Sequence, residues 1–178
     1  MTLHASWIHG NALTVENPEN LDRIGHFGWG ADMSVQAGKG SWFHIPVPSP
    51  VIVEDVRMKV QNLFLLFDAE AAGGKITRIH VWDGASQVEV FDEVNRLGHH
   101  LGGPDAENTI TLTRPHTVIF GMSISFFFQA GGTGAGVFGD ATSSRLIVGS
   151  AGGDFTTSAI NGLVVQRLEI DVPVLGGG

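Results

Sequence analysis

Three of the four tryptophans in this 178-residue chain have a histidine two positions away. The segments are SWIH (Ser6 to His9), SWFH (Ser41 to His44) and HVW (His80 to Trp82). On an extended strand, residues i and i+2 share a face. Trp7 therefore lies beside His9, Trp42 beside His44, and Trp82 beside His80, with Arg78 next along the same face. Three uses fit this pattern. Each indole can fill the core or a rim, with its imidazole satisfied locally. Alternatively the indoles are stacking platforms, and His9, His44, His80 and Arg78 supply hydrogen bonds. That surface suits a glycan or another flat, partly apolar small molecule. Trp is also enriched where subunits meet, so a homo-oligomer contact is the third use. Trp29 sits in the Gly-rich stretch GHFGWGAD, where faces cannot be assigned.

The acidic stretch from Phe91 to Asn108 is the place where a metal would bind. It gathers Asp92, His99 and His100 with further carboxylates at Glu93, Asp105 and Glu107. Imidazole and carboxylate suit Zn, Fe or Mn. Adjacent histidines on an extended segment point in opposite directions, so His99 and His100 do not readily share one ion. No His-x-His pair occurs anywhere in the chain. The expectation is a solvated loop and no cofactor, with Asp92, His99 and His100 as the residues that would hold a metal if one bound.

Two further motifs resemble chemistry and fail on context. Gly134 to Gly139 matches G-x-G-x-x-G, but the following DATSSRLIVGS reads as strand and not as the helix whose N-terminus would take a pyrophosphate. GMSIS and GSAG approach a nucleophile elbow, which needs its serine between a strand and a helix. Ser123 instead lies mid-strand on a small-residue face, and no helix follows Ser150.

The elements that must position these residues are strands. TVIFGMSISFFFQ places Val118, Phe120, Met122, Ile124, Phe126 and Phe128 on one face. The other face is mostly small, with Ser123 and Ser125. Phe127 falls on that second face; either a further layer covers it, which is the expectation, or it marks a contact surface. EDVRMKVQN alternates as cleanly and then becomes apolar through LFLLF, as a strand does when both faces are covered. KITRIHVW and ASQVEVF flank Asp83-Gly84, a pair suited to a tight hairpin turn. Further strands are expected at Leu3 to Ile8, Ala12 to Glu16, Met33 to Gln36, Ser41 to Val47, Thr109 to Thr113, Arg145 to Ser150 and Leu163 to Val172. The signals in NPENLDRIG predict a helix, with Asn17 as cap, Pro18 in the first turn and Gly25 as stop. FDEVNRLG suggests another helical turn. Pro46, Pro48 and Pro50 must lie on an edge or outside the sheet.

Many short strands with Gly-rich turns and at most one or two short helices predict an all-β fold, an antiparallel β-sandwich of jelly-roll-like form. One domain over residues 1–175 with a Gly tail at 176–178 fits the length. The chain carries 10 basic and 18 acidic residues, a net charge of −8, so nucleic acid and anionic membranes are unfavourable partners. There is no Cys and hence no disulfide framework. The N-terminus lacks the pattern of a signal peptide, which points to the cytoplasm, although the absence of Cys leaves secretion open.

The functional expectation is a non-catalytic ligand-binding sandwich that takes a glycan or small molecule through Trp7, His9, Trp42, His44, Arg78, His80 and Trp82. The alternatives are a His- or metal-dependent enzyme on the same scaffold, and a structural protein that assembles as an oligomer. Lectin-like and carbohydrate-binding sandwiches offer an analogy at the level of fold, and a fold alone does not carry function.

Overall fold

The protein is an all-β sandwich of two antiparallel sheets. The structure, a computed structural model, describes residues 2–69, 73–132 and 143–157. The strand expected at Leu163 to Val172, the Gly tail and the Gly134 to Gly139 motif lie outside the described residues.

The larger sheet has eight strands. Its centre is the long pair β7 (Val56–Asp68) and β13 (Ser144–Thr157). The outer edge of β13 is shared by β4 (Gly30–Val35) along its first half and β1 (Leu3–His9) along its second. Beyond β4 lies β3 (Leu21–Phe27). The outer edge of β7 is shared by β10 (His99–His100) and β11 (Thr109–Thr117), and β6 (Ile52–Val53) forms a short hairpin with its start. The smaller sheet has five strands. In spatial order they are β2 (Thr14–Val15), β5 (Gly40–Pro46), β12 (Met122–Gln129), β8 (Lys75–Asp83) and β9 (Ser86–Arg96).

Alternation builds the core. Phe43 and Ile45 of β5, Ile124, Phe126 and Phe128 of β12, and Ile79 and Val81 of β8 point inward and are buried. They meet Met33, Met58, Val60, Leu63, Leu65, Phe67, Leu146, Val148 and Phe155 from the other sheet. Phe43 and Phe126 stack at 5.5 Å.

Two expected helices are not formed. Asn17 and Pro18 open only one 3-10 turn, Pro18–Asn20, after which Leu21–Phe27 runs as β3. β3 is an edge strand whose side chains are mostly exposed, so it shows no burial alternation for a sequence reading to detect. FDEVNRLG is likewise strand through Arg96, with Glu93 at φ 61 marking a local irregularity. The hairpin turn falls one residue later than predicted: Asp83 pairs with Ser86, and Gly84 takes the positive φ of 59.

Candidate functional site

The outward face of the five-stranded sheet carries the Trp/His pairs of β5 and β8. Because Phe43 and Ile45 point inward, Trp42 and His44 must point outward; Ile79 and Val81 do the same for Arg78, His80 and Trp82. Between these two strands runs β12, whose outward residues are Ser123, Ser125 and Phe127. The register is close. Ser125 is flanked by His44 and His80, Ser123 by Pro46 and Trp82, and Phe127 by Trp42 and Arg78. The two serines form a low floor, and the large side chains of the neighbouring strands form walls. The result is an open trough of about 370 Å³ lined by Glu16, Trp42, His44, His80, Trp82, Gln87 and Ser125.

Hydrogen bonds hold the walls. His44 Nε2 lies 3.2 Å from Glu16 Oε2, and His44 Nδ1 lies 2.8 Å from Ser125 Oγ. A carboxylate only accepts, which assigns the proton to Nε2 and makes Nδ1 the acceptor of the serine hydroxyl. Gln87 Nε2 donates to His80 Nδ1 at 3.4 Å. The His80 Nε2 proton then faces Asp92 Oδ1 at 3.5 Å, near enough for attraction but without hydrogen-bond alignment, and that nitrogen is buried. The Trp42 ring leans over the serine floor to within 4.6 Å of the His80 ring. Phe127 packs edge-on to Trp42 at 5.4 Å, with the Arg78 guanidinium 5.1 Å from its ring centre. The expectation that Phe127 belongs to a covered layer is therefore corrected: it is half-buried on this outer face and buttresses Trp42.

Five of the seven predicted ligand-binding residues thus share one surface: Trp42, His44, Arg78, His80 and Trp82. Trp7 and His9 lie on β1 in the other sheet. Trp7 stacks on Phe64 at 5.4 Å, and His9 contacts Gly28 O at 3.1 Å, fastening the β3–β4 turn. Identical spacing places these residues on a different layer because spacing fixes a face within a strand and says nothing about which sheet receives it. Glu16, Gln87, Ser123 and Ser125 were missed as site residues. The small-residue face of β12 was the visible signal for the two serines, whereas Glu16 follows the edge strand β2 and Gln87 lies on the edge strand β9, so they become neighbours only through strand order.

The metal candidates separate. Asp92 faces His80, His99 pairs with Asp68 at 2.8 Å in the other sheet, and His100 pairs with Asp105 at 2.8 Å within its own loop. Among the described residues no group of three or more His, Cys, Asp or Glu side chains is placed to hold a metal ion. Burial pushes the His100 imidazole down, but its bonds to Asp105 and to the Leu97 carbonyl outweigh this and raise it. The adjacent histidines do diverge, as their extended backbone dictates.

Fold and site together define a β-sandwich with an aromatic, histidine-lined trough on one sheet. The chain belongs to a family of unknown function, DUF6623, whose model matches residues 1–118. That match includes both trough walls and stops short of the serine floor. No curated protein matches the chain. Among solved structures, CBM35 from Paenibacillus barcinonensis is similar, with TM-score 0.34 and 13% sequence identity, covering 89% of this chain and 100% of that one. At that TM-score the likeness carries no functional argument.

Proposed function

We propose that this protein is a non-catalytic binding module whose trough takes a sugar ring or a similarly flat, partly apolar small molecule. One observation carries the reading: Trp42 and His44 from one strand, and His80 and Trp82 from another, face each other across a floor of serines. Indole faces accept the C–H side of a pyranose, while imidazole, carboxylate, amide and hydroxyl groups around them fix its hydroxyls. The floor and walls are held by strands and by mutual hydrogen bonds, so little ordering is left for the ligand to impose. Tryptophan emission titrated with a panel of neutral mono- and oligosaccharides tests it. The expected result is saturable quenching or a shift by a member of the panel, lost in Trp42→Ala and Trp82→Ala and retained in Trp7→Ala. No response to any sugar, with the fold intact by circular dichroism, rejects the reading.

A second reading rests on the chain Ser125 Oγ–His44–Glu16, which joins a hydroxyl, a base and a carboxylate by bonds of 2.8 and 3.2 Å. That order is the one used by serine hydrolases. Ser125 sits mid-strand between two paired neighbours, so its backbone N–H belongs to the ladder and not to an oxyanion hole. The binding reading is preferred for this reason. Covalent labelling of Ser125 by a fluorophosphonate, abolished in His44→Ala, would reverse the preference.

A further inference from the structure

A second concave site lies at the seam of the sandwich, where the edge strand β9 of one sheet approaches the edge strand β11 of the other. In the pairing of β11 with β7, Thr111 lies opposite Asn62 and His116 opposite Val60, so residues 112–115 bulge away from the ladder. Bulges of this kind re-aim side chains. The Thr113 N–H, removed from the ladder, is recovered by Glu89 of β9, whose two carboxylate oxygens lie 3.2 and 3.0 Å from it. The Thr113 hydroxyl donates to the same group at 2.5 Å. The space so opened is about 580 Å³ and is lined by Val88, Glu89, Thr113, Arg114, Pro115 and His116.

His116 enters this space held by Asp83. Its Nε2 lies 2.8 Å from Asp83 Oδ2, and Asp83 also accepts from the backbone N–H groups of Ile119, Phe120 and Gly121. An ionised carboxylate so surrounded can only accept, so the imidazole carries a proton on Nε2, and in the neutral ring Nδ1 is the acceptor. Nδ1 has no partner among the described residues. Arg114 likewise forms no ion pair or hydrogen bond among the described residues, although Glu89 lines the same space. A guanidinium and a carboxylate that share a pocket without pairing leave a gap that a ligand of both charges can bridge.

We infer that this seam pocket binds a small zwitterion of the α-amino-acid type. Arg114 takes the carboxylate in a two-point contact. Glu89 and His116 Nδ1 accept from the ammonium group, and Val88 and Pro115 offer apolar surface to the side chain. The inference is independent of the trough, because no residue lines both sites.

The test is amide and His-ring NMR of the full chain, titrated with glycine and with leucine. Acetate, methylamine and glycerol serve as single-charge and neutral probes. Saturable shifts at Thr113 and His116 are expected with the amino acids, with Kd at least about tenfold below that of acetate or methylamine. In Arg114→Gln, which removes no hydrogen bond or ion pair among the described residues, the affinity should fall by about tenfold or more. Absence of saturable shifts overturns the inference. So does equal affinity for acetate, methylamine or glycerol, or an Arg114→Gln variant that binds as the parent does. None of these outcomes bears on sugar binding in the trough.

Discussion

Asp83 organises more backbone than its place beside a turn requires. Its carboxylate gathers three consecutive N–H groups from residues 119–121, each at 2.7 to 2.8 Å, as well as His116. Burial pushes this carboxyl up, but the bonds from Gly121, His116, Phe120 and Ile119 outweigh it and bring the pKa from 3.8 to about 2. The folded state therefore holds the proton more weakly than the unfolded state does. The stabilisation is complete above about pH 4 and vanishes as pH falls through about 2, and its size is about 2 kcal/mol. Asp83→Asn keeps one acceptor and turns an N–H₂ toward backbone donors. It should cost about 3 kcal/mol in urea unfolding at pH 7, and much less at pH 2, where the parent carboxyl is itself protonating. A substitution cost that is equal at the two pH values contradicts this account. Gly152 is a second such position. A Cβ there would lie 2.5 Å from the Trp7 ring and 2.7 Å from the Ser6 carbonyl. Gly152→Ala should therefore cost about 1–3 kcal/mol and disturb the Trp7–Phe64 stack, which near-ultraviolet circular dichroism reads directly.

At the scale of the strand, β12 explains how much of the site could be foreseen. Its alternation is legible because one face is large and apolar and the other small, and the structure uses both: Ile124, Phe126 and Phe128 fill the core while Ser123 and Ser125 floor the trough. The face shared by Trp42 and His44, or by His80 and Trp82, was equally legible, since period two is local geometry. Their meeting was not. It depends on β12, which follows β8 by nearly forty residues in sequence, inserting between β5 and β8, and no local pattern encodes strand order. The same limit applies to Trp7 and His9, whose shared face was legible but whose sheet was not. β3 was mistaken for helix because Asn17 and Pro18 are genuine turn formers, yet tertiary pairing with β4 overrode the signal after one turn. If small floor residues create the trough, filling the floor should close it. Ser125→Val suits a strand and keeps the ladder, but adds bulk beneath Trp42 and removes the hydrogen bond to His44. Sugar-induced changes in Trp emission should fall by at least about tenfold, with stability altered by no more than about 1 kcal/mol. Retained binding in a folded Ser125→Val protein would show that the ligand does not enter between the walls.

For the molecule as a whole, three carboxylates respond to acid in the same direction, two of them tying distant segments together and the third holding a single loop. Asp32 is held down by its bond to Arg145 and also pairs with Arg23, linking β4, β13 and β3 across the outer face of the larger sheet. Asp83 secures the residues that lead into β12. Asp105, raised by burial but lowered further by His100 and by the N–H groups of Asn108 and Glu107, shapes the turn before β11. Each has a folded pKa below its unfolded value, so each contributes stability that is complete above about pH 4 and lost on further acidification. His100 works in the opposite sense. Its pKa is raised, so its contribution is complete below about 6.5 and lost as pH rises through the raised value. The net charge of −8 adds self-repulsion on the alkaline side once the histidines are neutral. Urea midpoints should therefore peak between about pH 4 and 6.5, fall steeply toward pH 2 and decline gently toward pH 9. Asp32→Asn removes one acid-sensitive tie and should flatten the steep limb, while His100→Gln should flatten the gentle one and, by releasing Asp105, take a smaller part of the acid limb with it. A parent protein whose midpoint is the same at pH 3 and pH 5.5 would mean that these ion pairs do not couple folding to pH.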